Sequence, residues 1–176
     1  MKWVELNNVV SVEQRAAVAA LLGREPRGLE AVPVLSAARE PMVIRVSSLV
    51  DDKPFPTLYW LVDSALNYRI DGAEAGGLIA ILQARIDQDA ALQAAMVEDH
   101  RLHIADRDGF MDEIQRKRIA ELGFCEVFSK RGIGGIADFT RIRCLHTWYA
   151  AHMVRANTVG RLLDAHWASE AESTRA

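Results

Sequence analysis

The pattern of apolar and polar positions divides the chain into a helical opening, a short β-rich stretch and a long helical remainder. Ser11 reads as an N-cap with Gln14 three residues later as its capping-box partner. The alanine-rich segment behind it runs to Leu22 and stops at Gly23. In the connector Arg24 to Gly28, proline and glycine exclude regular structure. Three short segments then read as strands. Val32 to Leu35 is β-branched, and Thr57 to Val62 is rich in aromatic and branched residues. Met42 to Ser47 alternates, with Met42, Ile44 and Val46 on one face and Val43, Arg45 and Ser47 on the other. Asp51 to Pro56 joins the last two as a proline-held loop, so a small antiparallel meander is predicted.

Helical spacing dominates the rest. Ser64 to Ile70 forms a short helix closed by Asp71-Gly72, and Ala73 to Ile86 continues in helical period despite Gly76 and Gly77. Asp87 or Asp89 caps a longer helix to about Arg107, with Asp108-Gly109 as its stop. Further helices are predicted over Phe110 to Leu122, Thr140 to Arg155 and Thr158 to Trp167. The expected class is α+β: a small antiparallel three-stranded sheet packed against a helical majority. One globular domain is expected over residues 1–168, with residues 169–176 as a frayed polar tail.

Composition narrows the function classes. A hydrophobic share of 50% and a charged share of 26% over 176 residues suit an ordinary soluble globular protein. The formal net charge of −3 argues against a general nucleic-acid binder, while local basic clusters stay open. Glu5, Asn7 and Asn8 interrupt the start, so no leader segment is read there. No run approaches the ~20 apolar residues that span a bilayer, so no membrane partner is expected. A cytoplasmic location follows as the expectation, with Cys125 and Cys144 as free thiols.

The candidate chemistry gathers late in the chain. Gly132, Gly134 and Gly135 permit positive φ, so successive N–H groups could line a concavity for an anion. Arg131, Arg141 and Arg143 would supply charge, since a guanidinium grips phosphate or carboxylate through two parallel hydrogen bonds. Arg24 and Arg27 could reach the same pocket, or fix the first helix through surface ion pairs. The competing reading of the glycines is a tight turn packed against helices. No Lys-Ser or Lys-Thr follows them, so this is not a Walker sequence.

His146 could serve as an acid–base residue or as a hydrogen-bonded pocket residue. In a helix from Thr140, Cys144 and His146 diverge by about 200°, so they act together only if the helix starts later. Asp99, His103 and Asp106 fall at i, i+4 and i+7 on one face, a spacing that suits a metal or a solvated surface equally. Glu113 to Arg118 reads as a solvated charged face.

Several segments in order carry a family resemblance: Leu22 to Gly28, Lys53 to Trp60, Gly132 to Ile136, Arg143 to His146 and Asn157 to Gly160. Together they resemble the bacterial family known as domain of unknown function 501, across nearly the whole chain. The resemblance implies no activity, because the family has none to carry over. It also exposes a departure. Relatives carry cysteines before the second strand and Thr-Cys-Pro after the aromatic strand, where this chain has Arg39-Glu40-Pro41 and Val62-Asp63-Ser64. If those cysteines and the one matching Cys144 hold a metal or cluster in relatives, this chain has lost that capacity.

Three functions fit these residues. The first is a cytoplasmic protein that binds a small anionic, phosphorylated ligand and acts as an enzyme if His146 takes part in catalysis. The second is a non-catalytic module that docks a protein partner. The third is a metal enzyme built on Asp99, His103 and Asp106. No cofactor is named by the sequence.

Overall fold

A computed structural model describes residues 9–173. The reading of the first eight residues as free of a leader, and the last three residues of the polar tail, lie outside that range. The described residues form eight α-helices, a three-stranded antiparallel sheet and a two-stranded one, an α+β architecture.

Helix α1 (Val12–Leu22) starts where the capping box predicts. Ser11 Oγ accepts the Gln14 N–H, the Gln14 side chain accepts the Ser11 N–H, and Gly23 closes the helix in the left-handed region. The sheet runs β1 (Leu29–Leu35), β2 (Pro41–Val46) and β5 (Tyr59–Leu61), with β2 central. Strand β1 begins three residues before the predicted Val32. It carries Pro33, and its pairing with β2 is interrupted by register shifts at three places. Of the predicted loop, Lys53–Pro54 forms β4 and pairs with β3 (Leu49–Val50), just ahead of the loop, across a turn made by Asp51 and Asp52 at positive φ.

Alternation in β2 sorts its side chains as the pattern predicts. Ile44 and Val46 pack with Val18 of α1 on one side of the sheet. Val43 joins the main core with Leu61, Ile70, Leu82, Met96, Trp148 and Leu163 on the other. Arg45 shares that second side. It is 6% exposed, lies 3.5 Å from Glu30 Oε2 and stacks over the Phe110 ring at 3.8 Å.

The helices differ from expectation mainly at their ends. Helix α2 (Ser64–Ala75) passes straight through Asp71-Gly72 and ends at Gly76-Gly77, where Gly77 turns left-handed before α3 (Leu78–Asp87). An exposed glycine inside a helix costs only about 1 kcal/mol and does not stop it. Asp89, not Asp87, caps α4 (Ala90–Phe110), which likewise continues through Gly109. Helix α5 (Glu113–Glu121) starts behind an Asp112–Gln115 capping box rather than at Phe110. Helix α6 (Cys125–Lys130) is an additional short element, followed by a 3-10 turn at Ile133–Gly135. Helix α7 covers Leu145–Val154, five residues later than predicted at its start, and α8 covers Thr158–Ser173. Residues 169–173 are therefore helical, with Ser169 and Ser173 hydroxyls donating to carbonyls one turn back. No helix among the described residues is long and apolar enough to cross a membrane.

Candidate functional site

The bend between α6 and α7 is closed by its own backbone. The Gly132 N–H donates to Ile136 O at 2.9 Å, and the Gly135 N–H donates to Gly132 O at 2.9 Å. The Ile133 N–H donates to Nδ1 of His100, at 2.9 Å. Three of the N–H groups expected to line an anion concavity are thus already satisfied within the protein. The glycines are needed for two other reasons. A Cβ on Gly132 would lie 2.1 Å from His100 Nδ1, and Gly134 and Gly135 both sit at φ near 69°.

His100 is fully buried, stacked on Phe139 at 4.5 Å and edge-on to Trp148 at 4.8 Å. Burial lowers its pKa to about 4, so the ring is neutral and its Nδ1 is free to accept. Gly132→Ala should therefore lose about 2–3 kcal/mol, because the buried ring has nowhere to go. Gly109→Ala, whose added methyl meets nothing within 4 Å, should be neutral or stabilising by up to ~1 kcal/mol. Denaturant midpoints of the two variants check the contrast.

Buried Arg107 fixes the bend from below. Its guanidinium donates to Pro56 O at 2.7 Å, to Arg131 O at 2.7 Å and to Phe128 O, so one side chain holds three carbonyls. Burial brings its pKa down to about 10, still well above neutrality. Above the bend, Gln83 of α3 clips the connector to α7. Its amide donates to Thr140 O and accepts the Ile142 N–H, both at 2.9 Å. Asp138 Oδ1 accepts the Thr140 N–H and hydroxyl, which hold its carboxyl below the usual carboxylate range.

These supports bring Arg131, Arg141 and Arg143 to one groove of about 380 Å³, together with Gln83 and Asp138. Arg131 Nη1 donates to Gly135 O at 3.2 Å. Arg141 lies 3.6 Å from Asp87 and 3.8 Å from Asp138. Arg143 is exposed and has no ion-pair or hydrogen-bond partner among the described residues.

The other expected members lie elsewhere. Arg24 and Arg27 line a separate pocket of about 290 Å³ with Lys53 over Ile44, Phe55 and Trp60, and Arg27 pairs with Asp51 at 2.8 Å. His146 lines a third groove, of about 290 Å³, with Trp60, Asn67 and Thr147. Because α7 starts at Leu145, Cys144 has extended backbone, and its Sγ lies 3.6 Å from His146 Nδ1. The expected divergence of thiol and imidazole does not occur. Burial, with the Glu74 carboxylate adding, pushes the Cys144 thiol up, the opposite of an activated nucleophile.

Asp99, His103 and Asp106 do share one face of α4 and line a cavity of about 20 Å³. The two carboxylates have protein partners, whereas His103 Nε2 is buried without one among the described residues. Asp99 accepts the Thr158 N–H at 2.7 Å, starting α8, and Asp106 pairs with both ends of Arg155 at 2.7 and 3.0 Å. His103 is buried edge-on to the Tyr59 ring at 5.9 Å, and burial lowers its pKa to about 3. The buried stripe of α4 is Met96, His100, His103 and Arg107, one step round from the face chosen by the sequence pattern. That stripe was visible as i, i+4, i+7, i+11 spacing. Glu74 and Gln83 carry no such signal, since their partners lie about 60–70 residues away along the chain.

No curated protein and no solved structure matches this sequence. The family model described as "Protein of unknown function (DUF501)" matches residues 32–165, a span from β1 to α8 that contains the arginine groove and all of α4. The chain therefore belongs to the DUF501 family of proteins of unknown function.

Proposed function

We propose that this chain is a cytoplasmic protein that binds a small anionic, phosphorylated ligand in the groove of Arg131, Arg141 and Arg143. One observation supports this reading above the rest: three guanidinium groups line a single groove, and one of them, Arg143, has no partner among the described residues. A guanidinium is always charged and presents paired N–H donors that match phosphate oxygens. Asp138 and Asp87 sit close enough to Arg141 to orient it while the groove is empty of ligand. An incoming phosphate competes with these exposed pairs at little cost, because such pairs are worth about 0–1 kcal/mol. The glycine bend contributes by shape, setting Arg131 beside the connector. The reading is one of binding, with no acid–base step assigned to His146.

Thermal stability and titration calorimetry against phosphate, pyrophosphate, polyphosphate and nucleotides test it. A positive result is a stabilising shift that weakens with salt and falls about tenfold or more in affinity in Arg143→Ala and Arg141→Ala. Arg27→Ala, in the separate pocket, should leave that affinity unchanged. Absence of a shift with every anion, or a shift indifferent to Arg143→Ala, removes the reading.

A further inference from the structure

We infer that Cys144 Sγ, His146 Nδ1 and Glu74 Oε1 form a binding site for a divalent transition metal, Zn²⁺ by the chemistry of its donors. The site is independent of the arginine groove and shares no residue with it. The three ligand atoms come from two elements, and the fold explains their meeting. Helix α7 begins one residue after Cys144, so the thiol sits on extended backbone and points alongside the second residue of the helix. Glu74 stands in the last turn of α2, and its Oε1 accepts the Leu145 N–H at 2.5 Å. That bond draws the carboxylate against the start of α7, beside His146.

The spacing is that of a metal shell. All three atoms lie within 4.8 Å of one another. His146 Nδ1 is 3.6 Å from Cys144 Sγ and 3.4 Å from Glu74 Oε1. A tetrahedral zinc with bonds of about 2.3 Å to sulfur, 2.05 Å to nitrogen and 2.1 Å to oxygen separates S and N by roughly 3.6 Å and N and O by roughly 3.4 Å. The protein already holds these two edges of the tetrahedron at the required length.

The groups behind the imidazole point the same way. His146 Nε2 faces two acceptors, Asp71 Oδ1 at 3.2 Å and Asn67 O at 3.4 Å. With its ring proton on Nε2, the imidazole turns the Nδ1 lone pair toward the thiol and the carboxylate. A carboxylate behind the far nitrogen is the usual orienting partner of a metal-bound histidine. Glu74 Oε1 spends one lone pair on Leu145 and keeps the remaining carboxylate sites for a cation.

Donor type selects the ion. One sulfur, one imidazole nitrogen and one carboxylate oxygen disfavour magnesium and calcium, which take oxygen shells, and suit zinc. Binding exchanges the Cys144 thiol proton for the metal, releasing one proton as the Zn–S bond forms. Three protein ligands leave a fourth position open to water. Glu74, Cys144 and His146 are all half-buried, and the groove that His146 lines with Trp60 and Thr147 connects the imidazole to solvent.

The test is Co²⁺ titration of the whole chain after chelator treatment, followed by displacement with Zn²⁺. One Co²⁺ per chain is expected, with thiolate-to-cobalt charge-transfer absorption in the near ultraviolet and tetrahedral bands in the visible. Cys144→Ser should abolish the charge-transfer band, while Cys125→Ser, at the exposed second cysteine, should retain it. Glu74→Gln and His146→Ala should weaken binding at least tenfold. Asp71→Asn lies at an exposed side chain, spares the fold and should weaken binding by about 10–100-fold. The site is overturned by the absence of a cobalt–thiolate band, by a band that survives Cys144→Ser, or by affinity unchanged in both His146→Ala and Asp71→Asn.

Discussion

Replacing Arg107 by methionine is expected to lower the free energy of unfolding by about 3–5 kcal/mol. The side chain is 1% exposed, and three carbonyls from separate segments converge on it: Pro56 ahead of β5, Phe128 in α6 and Arg131 at the bend. Methionine has similar length and no donors. It leaves those carbonyls without hydrogen bonds in the interior, at about 1–3 kcal/mol each, against some relief from removing a buried charge. In a chain of 176 residues this corresponds to a fall of roughly 10–15 °C in Tm. Arg107→Lys should recover only part of the loss, because one ammonium cannot span three carbonyls as a planar fork does. Thermal and urea unfolding of both variants check the order. A loss below about 1 kcal/mol in the methionine variant would refute the clasp.

The second large effect is with pH. His100 and His103 are buried with pKa values lowered to about 4 and about 3, whereas in the unfolded chain each takes up a proton near 6.5. Below pH 6.5 the unfolded state therefore binds more protons than the folded state, and stability falls as pH falls. Each imidazole contributes up to about 1.4 kcal/mol per pH unit, so the pair removes roughly 3–4 kcal/mol between pH 6.5 and 5. Above pH 6.5 that contribution is fully present. Asp52 and Asp138, whose carboxyls are held low by Arg118 and Thr140, add their own losses only below about pH 4. Unfolding free energies measured from pH 7.5 to 5 give the slope. His103→Met should roughly halve it, and an unchanged slope would mean that the imidazole titrates freely. Protonation of His100 also removes the acceptor for Ile133, so the glycine bend should be the first segment to open in acid.

The legible parts of this protein are those whose signals are local. Ser11 with Gln14, the alternation of Ile44 and Val46 against Val43 and Arg45, and the helical majority all follow from neighbours along the chain. The unread parts were decided at a distance. The segment from Thr140 to Cys144 has helical period, yet Gln83 takes up the backbone of Thr140 and Ile142, and Glu74 takes the Leu145 N–H. Side chains from α2 and α3 thus compete with the helix for its first turn, and they win. The same competition decides the candidate sites. The sequence groups Arg131, Arg141, Arg143 and His146 within sixteen residues. The fold keeps the arginines together and turns His146 toward α2, where Cys144 and Glu74 meet it. Arg24 and Arg27 were too far along the chain for their direction to be read, and they face a different pocket.

Strand β1 has a consequence beyond the fold of one chain. It forms one margin of the sheet, with Pro33 lacking a donor and three breaks in its ladder, and the opposite margin, β5, is only three residues long. A strand from another molecule needs an unbroken, straight row of donors and acceptors on which to lie. Neither margin offers one, so the addition of a foreign strand to this sheet is disfavoured at both sides.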